Sequence, residues 1–274
     1  MKRYRTTLII AGSDSCGGAG IQADIKTCSA LGVYATTAIT AITAQNTVGV
    51  KQIEAASPMM VRRQIEAVLE DFTVDSIKIG MLCNAAIAHE VAATLSGSTI
   101  PIILDPVMVS TSGCQLLSND AIEVIVKELF PLASIITPNI HEASLLTGVA
   151  INTPHDIATS AQFLLSHHCR AVLMKGGHFT TDPEATDRLF LHNGTSHTFT
   201  SPFITTRNTH GTGCTLSSAI AAYMARGCDM THAVREAKMY LSQAIDISAD
   251  VTAGKGHGSL NHLYNPQPLS AIEF

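Results

Sequence analysis

The stretch Thr7-Leu8-Ile9-Ile10-Ala11-Gly12-Ser13-Asp14-Ser15-Cys16-Gly17-Gly18-Ala19-Gly20-Ile21-Gln22-Ala23-Asp24-Ile25 decides how the rest of the chain is read. Its first five residues are mostly aliphatic, as suits a strand covered on both faces. Four glycines between positions 12 and 20 end that run. Beyond them Ile21, Ile25, Cys28 and Leu31 recur at helical spacing. A strand, a glycine-rich turn and a helix in that order open an α/β fold.

The same alternation continues outward. Short apolar, β-branched runs predict strands at 7–11, 33–44, 76–79, 100–105, 135–137 and 170–175. Helical patterns lie between most of them: Ile65, Val68, Leu69 and Phe72 form one, and 85–95, 120–130, 155–165, 214–225 and 231–249 are others. Ser57-Pro58, Asn84, Ser118-Asn119 and Thr153-Pro154 supply start signals, because a capping oxygen or a first-turn proline deals with amides that have no helical acceptor. The expected fold class is α/β, a doubly wound, mostly parallel sheet flanked by helices on both faces, in one domain over residues 1–274. Asn193-Gly194-Thr195 spells a glycosylation sequon, but Asn-Gly between two strand-like runs reads better as a hairpin turn, placing an antiparallel hairpin around 188–200.

Composition narrows the function. The chain has 274 residues, 46% hydrophobic and 14% charged, with a net charge of −5, which excludes intrinsic disorder. Seventeen Lys and Arg against 22 Asp and Glu, with no basic block and no Trp, leave no footprint for nucleic acid. The most apolar segment, 100–109, is interrupted by Asp105 and two prolines, so no membrane span is expected. The basic start Met1–Arg5 is followed by too short an apolar run for a secretion signal. Seven cysteines, at 16, 28, 83, 114, 169, 214 and 228, show no C-x-x-C pair, which argues for reduced thiols in a cytosol. The twelve histidines form no metal-binding pattern.

In doubly wound sheets ligands sit beyond the carboxyl ends of the strands, so the polar residues there are the site candidates. The sharpest segment is Asn208-Thr209-His210-Gly211-Thr212-Gly213-Cys214-Thr215-Leu216-Ser217, leading into an apolar helix. Glycines let the backbone approach a ligand, and the helix start adds a positive dipole end, so the segment suits a transferring phosphoryl group. Cys214 in the first turn is expected to have a lowered thiol pKa and to act as general base, against the alternative of a buried packing cysteine. Gly17-Gly18-Ala19-Gly20 with Asp24 matches neither the dinucleotide fingerprint nor the P-loop, and by itself reads as a tight turn. Asn139 and Glu142 can hold a hydrated Mg²⁺ or cap a helix. Lys175 before Gly176-Gly177 can meet a phosphate. Gln45, at a strand end, offers a donor beside an acceptor, as an amino group next to a ring nitrogen requires.

Taken together, Gly12 through Asp24, Thr43-Ala44-Gln45-Asn46-Thr47, Lys78-Ile79-Gly80-Met81, Asp105-Pro106-Val107-Met108, Thr137-Pro138-Asn139 with Glu142, Met174-Lys175-Gly176-Gly177-His178 and Asn208 through Ser217 resemble the hydroxymethylpyrimidine/phosphomethylpyrimidine kinase family of thiamine biosynthesis, within the ribokinase-like superfamily. The resemblance spans about residues 8–258. It implies ATP- and Mg²⁺-dependent phosphorylation of 4-amino-5-hydroxymethyl-2-methylpyrimidine, then of its monophosphate, by a cytoplasmic homodimer. It further implies that Gln45 and Asp24 bind the aminopyrimidine in a pocket lined by Gly12, Met81 and Val107. Cys214 would stand where most of the superfamily has an aspartate base, with Gly211 and Gly213 in the anion hole. Asn139 and Glu142 would hold Mg²⁺ through water with Asp105 nearby, while Lys175, Lys238, Thr209 and Asn139 would serve the nucleotide. Ser15-Cys16 departs from the family's usual Pro-Ser or similar pair; the resemblance implies that Cys16 lies near the substrate pocket and leaves its role open. A pyridoxal kinase of the same superfamily is the nearest alternative. A ligand sensor or a dinucleotide oxidoreductase is a remoter one, since the fingerprint is missing. Loops at 179–187 and 205–210 are the lid candidates.

Overall fold

Along Thr6–Asp14 successive side chains point to opposite faces, and both faces are buried: Leu8 and Ile10 enter one apolar cluster, Ile9 and Ala11 the other. That strand is the axis of the computed structural model, which describes residues 1–109, 116–176 and 184–273. The elements are β1 (Lys2–Tyr4), β2 (Thr6–Asp14), α1 (Gly20–Ala30), β3 (Tyr34–Asn46), β4 (Gly49–Ala55), α2 (Pro58–Asp71), β5 (Ser76–Ile79), α3 (Ala85–Leu95), β6 (Ile102–Leu104), α4 (Asn119–Val124), β7 (Ile135–Ile136), α5 (Ile140–Thr147), α6 (Pro154–Leu165), β8 (Ala171–Lys175), β9 (Glu184–Leu191), β10 (Ser196–Pro202), α7 (Thr212–Ala225), α8 (Met230–Ser248) and β11 (Ala271–Glu273).

The main sheet has the order β10-β9-β8-β7-β6-β5-β2-β3-β4. From β8 to β3 all neighbours are parallel, whereas β9, β10 and β4 run antiparallel at the two edges. On one face Val61, Ile65, Ile87, Val91, Ile157 and Leu164 of α2, α3 and α6 pack against Ile77, Ile79 and Leu104. On the other, Cys28, Leu216, Ile220 and Ala237 of α1, α7 and α8 pack against Ile103, Ile135 and Leu173. Each fully buried aliphatic side chain contributes about 1.5–3 kcal/mol, so this double covering is the main source of stability.

The start signals act as the sequence implies at three of four helices. Ser57, Asn84 and Thr153 accept hydrogen bonds from the first-turn amides of Met60, Ile87 and Asp156. Ser118 makes no such bond. The hairpin around Asn193-Gly194 is β9–β10, with Gly194 at φ 85°.

Three expectations are corrected. β4 was not anticipated because its edge position leaves Gly49–Ala55 largely uncovered, so no apolar run marks it. The ribbon of β1 with β11 likewise has only one part-buried residue per strand. The helix expected over 120–130 ends as α-helix at Val124 and widens into a π turn over Ile125–Leu129 before Phe130-Pro131.

The chain passes from β2 to β3 on one side and later returns to β5 on the other. The strand order therefore reverses at β2, and the glycine-rich loop at its carboxyl end lies at the switch point where such sheets bind ligands.

Candidate active site

A cavity of about 860 Å³ opens at the carboxyl ends of β2, β3, β5 and β8 and is closed on one side by the start of α7. Gly211 caps α7 at φ 84°, and a Cβ there would overlap the carbonyl oxygen of Gly18, so only glycine lets this turn meet the β2–α1 loop. The first-turn amides of Thr212, Gly213 and Cys214 have no helical acceptor and add the positive end of the helix dipole. A Cβ on Gly213 would stand 3.4 Å from the Lys175 ammonium and 3.5 Å from Asp105, so the bare glycine keeps that space open.

Cys214 lines this cavity, half-buried. Burial pushes its thiol up to about 11, Lys78 pulls it down, and Asp24 and Asp105 push it further up. The expectation of a lowered thiol is therefore corrected: the helix start and Lys78 do not outweigh desolvation and two nearby carboxylates.

Next to α7 lies a chain of charges. Lys175 donates to Asp105 at 2.9 Å and stands 3.9 Å from Glu142. Asp105 also accepts from Thr137 and from Ser217 on α7. Burial opposes ionisation of Asp105, but Lys175 and Lys78 hold its carboxyl below the usual range. Glu142 is different: burial drives it up to about 7, Lys175 pulls it back down, and the charge of Asp105 cancels part of that relief. Asn139 and Glu142 form a reciprocal capping box at α5, each side chain accepting from the other's amide at 2.8 Å. Both also line the cavity, so the capping and ligand readings share the same residues. Two buried carboxylates around one ammonium, one of them reluctant to ionise, form a donor set that suits a hard divalent cation.

The far wall suits a flat, polar ring. Gln45, at the end of β3, places its amide nitrogen 3.5 Å from His210 Nε2 and accepts from Thr43. Met81 lies across Gly12, where any side chain would strike its methyl group. Val107 and Thr209 complete the expected lining. Lys238 on α8 also reaches the cavity, where it donates to Asp187 at 2.8 Å.

Of the residues expected to form the site, Asp24 alone does not reach the cavity. Its carboxylate is fully buried behind the wall, paired with Lys78 at 2.8 Å and accepting from Ser218 on α7 at 2.6 Å. Substrate binding by Asp24 is thereby corrected, since no part of the side chain is open to a ligand. Sequence reasoning assigned no role to Asp187, Asp14 or His210, which line the cavity, or to Lys78, which lies fully buried behind its wall. Lys78 was detectable as a lysine within the otherwise apolar Ser76-Ile77-Lys78-Ile79, because a fully buried lysine needs a partner. Of the lid candidates, 177–183 and with it most of 179–187 lie outside the described residues, as does Cys114. The remaining six cysteines are free thiols.

Known proteins share this sequence and this fold. A profile of the family described as phosphomethylpyrimidine kinase matches residues 14–261. The chain is 47% identical over 258 residues to a hydroxymethylpyrimidine/phosphomethylpyrimidine kinase of Rhizobium meliloti (strain 1021), covering 94% of this chain and 96% of that one. It spans about half the length of the bifunctional thiamine-biosynthesis relatives it also matches. Among solved structures it is similar to a phosphomethylpyrimidine kinase from Clostridium difficile 630, with TM-score 0.77 and 45% identity over 88% of this chain and 99% of that one. A pyridoxal kinase from Staphylococcus aureus, in complex with AMP-PCP and pyridoxal, aligns with TM-score 0.85 and 27% identity over 99% of this chain and 100% of that one. The fold is thus ribokinase-like, and the sequence match extends from the glycine loop of β2 past the helix behind Cys214. The chain belongs to the phosphomethylpyrimidine kinase family.

Proposed function

We propose that this chain transfers the terminal phosphoryl group of ATP to the hydroxymethyl oxygen of 4-amino-5-hydroxymethyl-2-methylpyrimidine, and then a second to the resulting monophosphate. The observation that carries this reading is Cys214, which stands at the amide-rich start of α7 in the same cavity as Gln45, Lys175 and Lys238. Gln45 pairs with the amino group and adjacent ring nitrogen, and Gly12, Met81 and Val107 hold the ring. This orients the hydroxyl toward Cys214. The Cys214 thiol first loses its own proton to solvent, and the thiolate then accepts the hydroxyl proton as the oxygen bonds to phosphorus and the bond to ADP breaks. Because phosphoryl transfer passes through a loose transition state, positioning and charge stabilisation matter more than a strong base. The amides of Gly211 to Cys214 then face the charge that develops on the phosphoryl oxygens.

Lys175, Lys238, Thr209 and Asn139 serve the nucleotide. Asn139 and Glu142 would hold Mg²⁺ through water with Asp105 nearby, and the bound ion would neutralise charge on the phosphates. On this reading the chain is one domain over residues 1–274, with small-molecule partners and no nucleic acid. Its resemblance to the family supports a cytoplasmic homodimer. Among the described residues no helix is long and apolar enough to cross a membrane.

Pyridoxal is the second substrate reading, favoured by the close structural likeness to a pyridoxal kinase solved with that ligand. A coupled assay of ADP release across the pyrimidine alcohol, its monophosphate and pyridoxal separates the two. The pyrimidine reading requires the first two to have the higher kcat/KM. A higher value for pyridoxal would overturn it.

A further inference from the structure

Cys16 has no part in the reaction described above, yet it stands in a defined setting. Its thiol, a carboxylate oxygen of Asp14 and a ring nitrogen of His210 all lie within 4.8 Å of one another. Asp14 and His210 are buried and Cys16 is half-buried. Two separate segments build this cluster. Asp14 ends β2 and accepts from the amide of Cys16 at 2.8 Å, which folds the loop back over the carboxylate. It also accepts from the amides of Gly18 and Ala19. His210 comes from the turn before α7 and meets Asp14 at 2.8 Å through Nε2. Gly18 is where that ring passes, since a Cβ there would collide with the imidazole.

We propose that Asp14, Cys16 and His210 form a second metal site, selective for a borderline-soft divalent cation such as Zn²⁺. A sulfur, an imidazole nitrogen and a carboxylate oxygen are the donor types that Zn²⁺ takes, leaving one tetrahedral position for water or a substrate atom. Mg²⁺ takes oxygen donors and is suited instead to Asp105 and Glu142, so the two sites differ by chemistry as well as by place. On binding, the ion takes the place of a proton on His210 Nε2, which passes to Nδ1 of the ring or, where Nδ1 already carries one, to solvent, and the Cys16 thiol proton leaves to solvent. The ion would cross-link the glycine loop to the turn that carries Gly211 and Cys214. It would also fix His210 beside the amide of Gln45, 3.5 Å away. Occupancy should therefore stabilise the fold and slow turnover by rigidifying the wall that receives substrate.

The test uses the full chain, reduced and stripped of metal, in excess Mg²⁺, titrated with Zn²⁺ against a competing chromogenic chelator. Co²⁺ absorption reports thiolate ligation in parallel. One equivalent of Zn²⁺ should bind, and Cys16→Ala and His210→Asn should each weaken it at least tenfold. Cys214→Ala should leave it unchanged. If Cys16→Ala unfolds, His210→Asn and the zinc-induced rise in Tm of the parent still decide the matter. Zn²⁺ should lower kinase turnover reversibly in the parent and not in Cys16→Ala. The binding arm does not depend on the kinase reading, so the failure of one is distinguishable from that of the other. Binding that survives both Cys16→Ala and His210→Asn, binding lost only in Cys214→Ala, or no stoichiometric binding would overturn the proposal.

Discussion

The Lys78 ammonium donates to the Asp24 carboxylate at 2.8 Å, and neither side chain reaches solvent. The pair lies under the start of α7, because Asp24 also accepts from Ser218, one helical turn beyond Cys214. A Cβ on Gly80 would come within 2.8 Å of the ammonium, so the glycine leaves room for it. Burial is the strongest single influence and opposes its charge, but Asp24, the Cys214 sulfur and Asp105 together outweigh that cost and keep Lys78 protonated. Lys78 is thus a positioning residue: it supplies fixed positive charge beside the Cys214 sulfur.

Lys78→Met would leave a buried carboxylate unpaired and should cost roughly 3–5 kcal/mol of stability. Pairing it with Asp24→Asn should recover much of that stability in denaturant melts. The double variant should still turn over more slowly than the parent, and its Cys214 should alkylate more slowly at a given pH. Parental turnover and alkylation in the double variant would remove Lys78 from the scheme.

Gly211 and Gly213 should separate folding from catalysis. Gly211→Ala combines a left-handed φ with overlap on the Gly18 carbonyl, so it should destabilise the fold by about 1–3 kcal/mol or more. Gly213→Ala meets nothing closer than 3.4 Å and should fold. Its methyl group fills the cavity space over the Lys175–Asp105 pair, so kcat should fall at least tenfold. Thermal melts and initial rates on both variants check this contrast.

Gln45→Ala should act on binding. Loss of a paired donor and acceptor is worth about 1–3 kcal/mol, so KM for the pyrimidine alcohol should rise about tenfold or more with a smaller change in kcat. An unchanged KM would show that the ring lies elsewhere in the cavity.

His262 sets an acid limit on stability. Its ring is buried against Thr215 of α7, 3.0 Å away, and burial with the nearby charge of Lys26 depresses its pKa from 6.5 to about 4. Between those values the unfolded chain binds the proton and the folded chain does not, so stability is full above pH 6.5 and falls as pH drops toward 4. The loss approaches roughly 3 kcal/mol. His262→Gln can keep the bond to Thr215 without titrating. Denaturant midpoints at pH 7 and pH 4.5 should therefore differ less in the variant than in the parent.

The parallel centre of the fold was readable because its strands are apolar on both faces: 76–79 and 85–95 match β5 and α3 end to end. The β4 edge was not, since that strand is half wet and carries Lys51, Gln52 and Glu54, whereas the β9–β10 edge was betrayed by its Asn193-Gly194 turn. In the site, glycines and polar residues following strands were found because they interrupt a pattern. Asp24 was misplaced because a carboxylate in an opening helix looks the same in sequence whether it faces a ligand or a buried lysine. The Cys214 thiol was misjudged for a related reason: a helix start is local and visible, but desolvation and the charges of Asp24 and Asp105 come from other elements.

Single-turnover phosphoryl transfer at saturating ATP, compared between the parent and Cys214→Ala across pH, is the most direct test of the sulfur as proton acceptor. With a thiol near 11, the parental rate should rise with pH through neutrality, up to tenfold per unit. Cys214→Ala should lose at least about 100-fold, bind the pyrimidine as before and show no such rise. A Cys214→Ala protein with near-parental rates and the same pH dependence would contradict the assignment.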